Sequence, residues 1–229
     1  MKTIVFDSGP IISLTTSNLL WILEELKKKG NVQFVLPMGV KHELVDRPLE
    51  TRRFKFEALQ VQQLIEKGVL TLLQDEAVTK EARKLLDTAN SILSAHGQNI
   101  KIVQVGEMEA LAAANLYKAE AIVVDERITR TLLENPKGLQ LLMEKRLHMQ
   151  LKSNDSALHE FQELTRHVSI IRSLELVTIA YEMGILDEYV VKIPNSRREL
   201  LESILWSVKL NGCSALDDEI NTIVKTQKV

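Results

Sequence analysis

The chain has 229 residues, 45% of them hydrophobic and 26% charged, with a formal net charge of -2. This is the composition of a globular protein that buries its own core, as one domain or a domain with an appendage. The near-neutral charge gives no global pull on nucleic acid, the lone Cys213 excludes internal disulfides and Cys-rich zinc sites, and nothing reads as a signal peptide or membrane span.

In chain order, residues 3–6 form a β-branched and aromatic run without alternation, the pattern of a strand buried on both faces, and the run stops at Asp7. Ser8-Gly9-Pro10 lets a helix start at once, and a further helix over 19–26 ends near Gly30. Residues 32–36 read as a strand closed by Pro37. A short helix carrying His42-Glu43-Leu44 follows and halts before Pro48. Residues 51–67 read as a helix, 69–73 as a strand and 77–95 as a helix. Gly106 introduces an Ala-rich helix over 107–115. The strand over 121–124 then stops at Asp125. Beyond it, 135–165 is helix-rich and charged, 168–171 reads as a strand, and 174–183, 199–210 and 217–225 read as helices. Alternation of this kind predicts a three-layer α/β/α sandwich with a mainly parallel central sheet and a helical C-terminal extension. We expect one domain over 1–185, with a helical insertion near 135–165, and an extension over 186–229 packed on it.

In open α/β sheets the functional crevice lies at the carboxyl ends of the strands. Asp7 and Asp125 are both placed there, and Glu43, Glu107 and Glu109 lie nearby in sequence terms: one after the second strand, two in the first turn of the Ala-rich helix. Glu107 and Glu109 are two apart on a helix, so they point in nearly opposite directions. Arg127 and Arg130 follow the last Asp, and Arg52, Arg53 and Lys55 form a second basic group. Aromatic residues make up only 4% of the chain, too few for a base-stacking platform.

Four segments taken in order resemble the PIN-domain family: Val5-Phe6-Asp7-Ser8-Gly9-Pro10, Lys41-His42-Glu43-Leu44, Gly106-Glu107-Met108-Glu109-Ala110-Leu111 and Val123-Val124-Asp125-Glu126-Arg127. The tail from Ile171 to Leu186, with Lys209 to Cys213, is similar to archaeal members. The resemblance implies a Mg²⁺- or Mn²⁺-dependent endoribonuclease, either RNA-processing or related to VapC-type toxins. RNA is then the partner, a homodimer is expected because such proteins often pair, and a small antitoxin protein is a further partner open to this family; the lack of a signal peptide or spanning stretch makes the expected location cytoplasmic. Carried over by position, Asp7, Glu43, Glu109 and Asp125 fill the four acidic places, and Ser8 matches the hydroxyl residue after the first Asp. The third place is Glu where many relatives have Asp, and Glu107 competes for it. Asp7, Asp125 and Glu109 or Glu107 would hold metal, Glu43 would act through water, and Ser8, Arg127 and Arg130 would meet the substrate. Hard cations favour such oxygen ligands, and a metal-activated water removes the need for a His, Ser or Cys nucleophile. The rival reading is a catalytically weak PIN module that binds RNA or assembles a complex. A dehalogenase-type phosphatase would need a second Asp at Gly9, and a dinucleotide fold would need a Gly-rich first turn.

Overall fold

A computed structural model describes residues 2–227. The first half runs β1 (Lys2–Phe6), α1 (Ser8–Thr16), α2 (Ile22–Gly30), β2 (Val32–Pro37), α3 (Met38–Lys41), α4 (Arg47–Leu49), α5 (Lys55–Glu66), β3 (Leu70–Leu73), α6 (Glu76–Asn90), β4 (Leu93–Ala95), β5 (Gln98–Asn99) and α7 (Val105–Leu116). It continues through β6 (Ala121–Val123), α8 (Arg127–Glu134), α9 (Pro136–Leu147), β7 (Lys152–Ser153), α10 (Asp155–Thr165), β8 (Ile170–Ile171), α11 (Ser173–Glu182), α12 (Ser196–Leu210) and α13 (Asp217–Thr226).

Five strands form a parallel sheet in the order β3-β2-β1-β6-β8. The chain starts at the centre, winds outward through β2 and β3, then returns to the other side of β1. Strand order therefore reverses between β1 and β6, and the loops leaving these two strands diverge to open a crevice. Val5, Phe6, Ile122 and Val123 have no solvent exposure, which accounts for the unbroken apolar runs that mark these strands. The Ala-rich α7 crosses β1, β2 and β6 with α6 packed on it, and Ala110, Ala112 and Ala113 are fully buried. Small side chains on successive faces let both layers approach this helix closely. Helices α2 and α11 pack together beside β2 and β8, with α12 and α13 stacked beyond α11. The sandwich and its C-terminal helices match the architecture expected from the alternating pattern.

Three local departures have identifiable causes. The helix expected over 77–95 stops at Asn90, whose Oδ1 accepts the amides of Ile102 and Val103. Residues 93–95 then pair with 98–99 across His96 and Gly97, both at positive φ, as a two-residue hairpin of right-handed twist requires. The short helix around Glu43 is not halted before Pro48. It runs through a π-turn at His42–Asp46 into α4, where the wider spacing accommodates a ring without an N–H. The helix expected from residue 51 begins only at Lys55, because Phe54 adopts a left-handed φ of 61°.

Phe6 and Phe34 meet edge-to-face across β1 and β2, their centroids 5.4 Å apart, and both are buried. Phe34→Ala is expected to cost about 3–5 kcal/mol, measured as a lower urea midpoint at unchanged m-value.

Candidate active site

Asp7 is the N-cap of α1. Its backbone amide donates to the Val123 carbonyl (3.1 Å) and its Oδ2 accepts the Gly9 amide (3.3 Å), so sheet and helix together fix it in the crevice. Its Oδ1 is buried with no hydrogen-bond partner. Burial pushes the carboxyl up to about 7, helped by the negative charges of Glu107 and Glu43 and opposed by the Ser8 and Gly9 amides.

Asp125 lies alongside: a Cβ on Gly9 would stand 3.4 Å from Asp7 Oδ2 and 3.6 Å from Asp125 Cβ. Unlike Asp7 it has hydrogen-bond partners on both oxygens. Its Oδ2 accepts the hydroxyls of Ser13 and Ser173, each at 2.7 Å, and its Oδ1 accepts the Ser173 amide at 2.8 Å. Ser13 and Ser173, themselves buried, are site residues that the sequence did not single out. Ser13 recurs one helical turn after Gly9 within α1, a spacing that could have marked it, whereas nothing local marks Ser173.

The glutamates separate. Glu109 Oε2 accepts the Gly39 amide at 2.8 Å, and a side chain at residue 39 would collide with it at 2.0 Å, so this carboxylate tethers α7 to the start of α3. Glu107 is the member of the pair whose charge acts on Asp7. It accepts the Gln104 amide at 3.0 Å, and burial, then the neighbouring Glu126 and Glu43, raise its carboxyl above the ordinary range. Glu43, exposed on the π-turn, reaches over Gly106, where an added Cβ would lie 2.8 Å from its Oε1. The structure brings Asp7 and Asp125 side by side, sets the charges of Glu107 and Glu43 on Asp7, and gives Glu109 the Gly39 amide as its partner.

Of the basic residues, Arg130 donates to the Ser214 carbonyl (2.9 Å) and pairs with Glu134 (3.4 Å), which ties α8 to the segment before α13. Arg127 is exposed, and Ser8 is half-buried in the first turn of α1. Cys213 is buried, and burial with the nearby Asp125 pushes its thiol up to about 12, where it stays protonated and unreactive.

Among the described residues no three His, Cys, Asp or Glu side chains already cage an ion. Magnesium nonetheless needs only one or two carboxylates, with water and substrate oxygens completing its shell. A buried, unpartnered Asp7 Oδ1 beside the acidic Glu107 fits such an ion.

The crevice therefore belongs to an α/β protein with carboxylates gathered at the switch point of its sheet. A family model described as PIN domain matches residues 3–141, more than half of the sequence, and the chain belongs to the PIN-domain family, whose members are generally nucleases. No curated protein matches it. No helix of the described residues is long and apolar enough to cross a membrane.

Two outcomes follow from these environments. Ser173→Ala leaves buried Asp125 short of a donor, and unfolding should become easier by about 1–3 kcal/mol in calorimetry. Asp7 has a folded pKa near 7 against an ordinary 3.8, so the folded state holds its proton more tightly and stability falls as pH rises from about 4 through 7. In EDTA, Asp7→Asn should melt higher than the wild type at pH 8, by up to about 4 kcal/mol of stability, and the gap should close below pH 4. A lower melting temperature at pH 8 would make Asp7 a structural carboxylate.

Proposed function

We propose that this protein is a divalent-metal-dependent endoribonuclease that hydrolyses RNA phosphodiester bonds in the crevice between β1 and β6. The carrying observation is Asp7: a buried carboxylate oxygen without a partner, held among further carboxylates, is costly to ionise unless a cation joins it.

In this reading Asp7 Oδ1 and Glu107 would hold the Mg²⁺ or Mn²⁺. Bound there, the ion would supply charge against the phosphate and lower the pKa of a water. Asp125 acts as a positioning residue, its carboxylate held beside Asp7 by Ser13 and Ser173. Glu43, exposed at the rim, would accept a proton from the attacking water as its oxygen bonds to phosphorus, while the bond from phosphorus to the leaving ribose oxygen breaks and that oxygen takes a proton from solvent. Arg127, exposed at the start of α8, meets the substrate's phosphates, while Arg130 is spent on Ser214 and Glu134. Glu109 orders the crevice through Gly39.

One observation favours the rival reading of a non-catalytic RNA-binding module: no three-carboxylate cage is preformed among the described residues. The test is incubation of labelled single-stranded RNA with Mn²⁺ or Mg²⁺. Cleavage should disappear in EDTA and fall at least about 100-fold in Asp7→Asn and Glu107→Gln, with Glu109→Gln affected less. Metal binding by the wild type in titration calorimetry, without any cleavage, would favour the module instead.

A further inference from the structure

Glu107 faces a second feature besides Asp7. It lines a groove of about 350 Å³ that runs between the link from β5 to α7 and the helix α9. The link supplies Lys101 and Ile102, and α9 supplies Met143, Arg146 and Leu147, with Glu126 beside Glu107 at the inner end. Resting on the ribonuclease reading, we propose that this groove carries one flank of a single-stranded RNA away from the acidic site, with Lys101 and Arg146 as its phosphate contacts.

Two cations, Lys101 and Arg146, line the groove with two carboxylates, Glu107 and Glu126, and it is the cations that offer a phosphate its contacts. Lys101 is exposed and has no carboxylate partner among the described residues. Arg146 approaches only Glu126, at 3.8 Å, and its side chain is 62% exposed, so this pair contributes little and can be exchanged for a phosphate. The floor between the two cations is apolar, through Ile102 and Met143. Cations that contact the phosphate backbone hold a strand through its charge and carry little sequence preference.

The wall is also built to stay in place. Leu139 and Met143 anchor α9 in the core. Glu144 Oε1 accepts the Leu151 amide at 3.0 Å, Gln140 donates to the Leu151 carbonyl at 2.9 Å, and β7 then pairs with β4. The stretch between β6 and β8 is thereby given a role: it forms the far bank of the groove.

The test is fluorescence anisotropy of a short labelled single-stranded RNA with the Asp7→Asn protein, which leaves the strand intact, as KCl is raised. Lys101→Ala/Arg146→Ala should weaken binding and flatten the slope of log K against log salt by about 1.4, two contacts at about 0.7 each. Lys101→Arg/Arg146→Lys should keep the slope. The control pair Arg198→Ala/Lys225→Ala lies in the cavity at the start of α12 and should also leave it unchanged. An unchanged slope in the groove variant, or a loss that follows the control pair, overturns the groove while leaving the ribonuclease reading standing. Failure of the RNA to bind even at low salt overturns the ribonuclease reading itself.

Discussion

The arrangement of this protein depends on one buried carboxylate. Asp125 follows β6, and its side chain gathers Ser13 from α1 and Ser173 from α11, while its carbonyl accepts the Ser214 amide from the C-terminal segment at 3.1 Å. Four parts of the chain, spread over about 200 residues, are fixed to one point at the end of the sheet. A carboxylate 2% exposed is tolerable only when its lone pairs are satisfied, so the same bonds that pay for its burial also dictate where α1 and α11 must lie. Asp7, capping that same α1, inherits its position from this arrangement.

The two aspartates show how position in a fold divides labour between identical side chains. Asp125 receives three donors and becomes a structural node. Asp7 accepts the Gly9 amide on one oxygen, and its other oxygen is buried without a partner. Neither difference lies in the residue type. Both come from which helices arrive at the ends of β1 and β6.

Much of this was legible in the sequence. The doubly buried strands announced themselves as apolar runs, and their terminal aspartates marked the crevice, because burial on both faces leaves no room for alternation. The small antiparallel sheet was hidden: β4, β5 and β7 are two or three residues long and depend on Asn90 and the His96-Gly97 turn, so no periodicity could reveal them. Sequence could show that Glu107 and Glu109 point apart, but not what each would meet: Glu109 takes the Gly39 amide, a contact seventy positions away, and the charge of Glu107 bears on Asp7. Ser173 escaped for the same reason, since its role exists only once β8 has joined the sheet.

The placement of Cys213 beside Asp125 has a practical side. The only thiol in the chain is buried and held protonated well above neutral pH, so maleimides and mild oxidants find no ready target in the folded protein. Spectroscopic labels attached through a cysteine introduced at the surface will report from that position alone. The native thiol can serve as an internal sentinel, becoming reactive only when the packing around Asp125 opens.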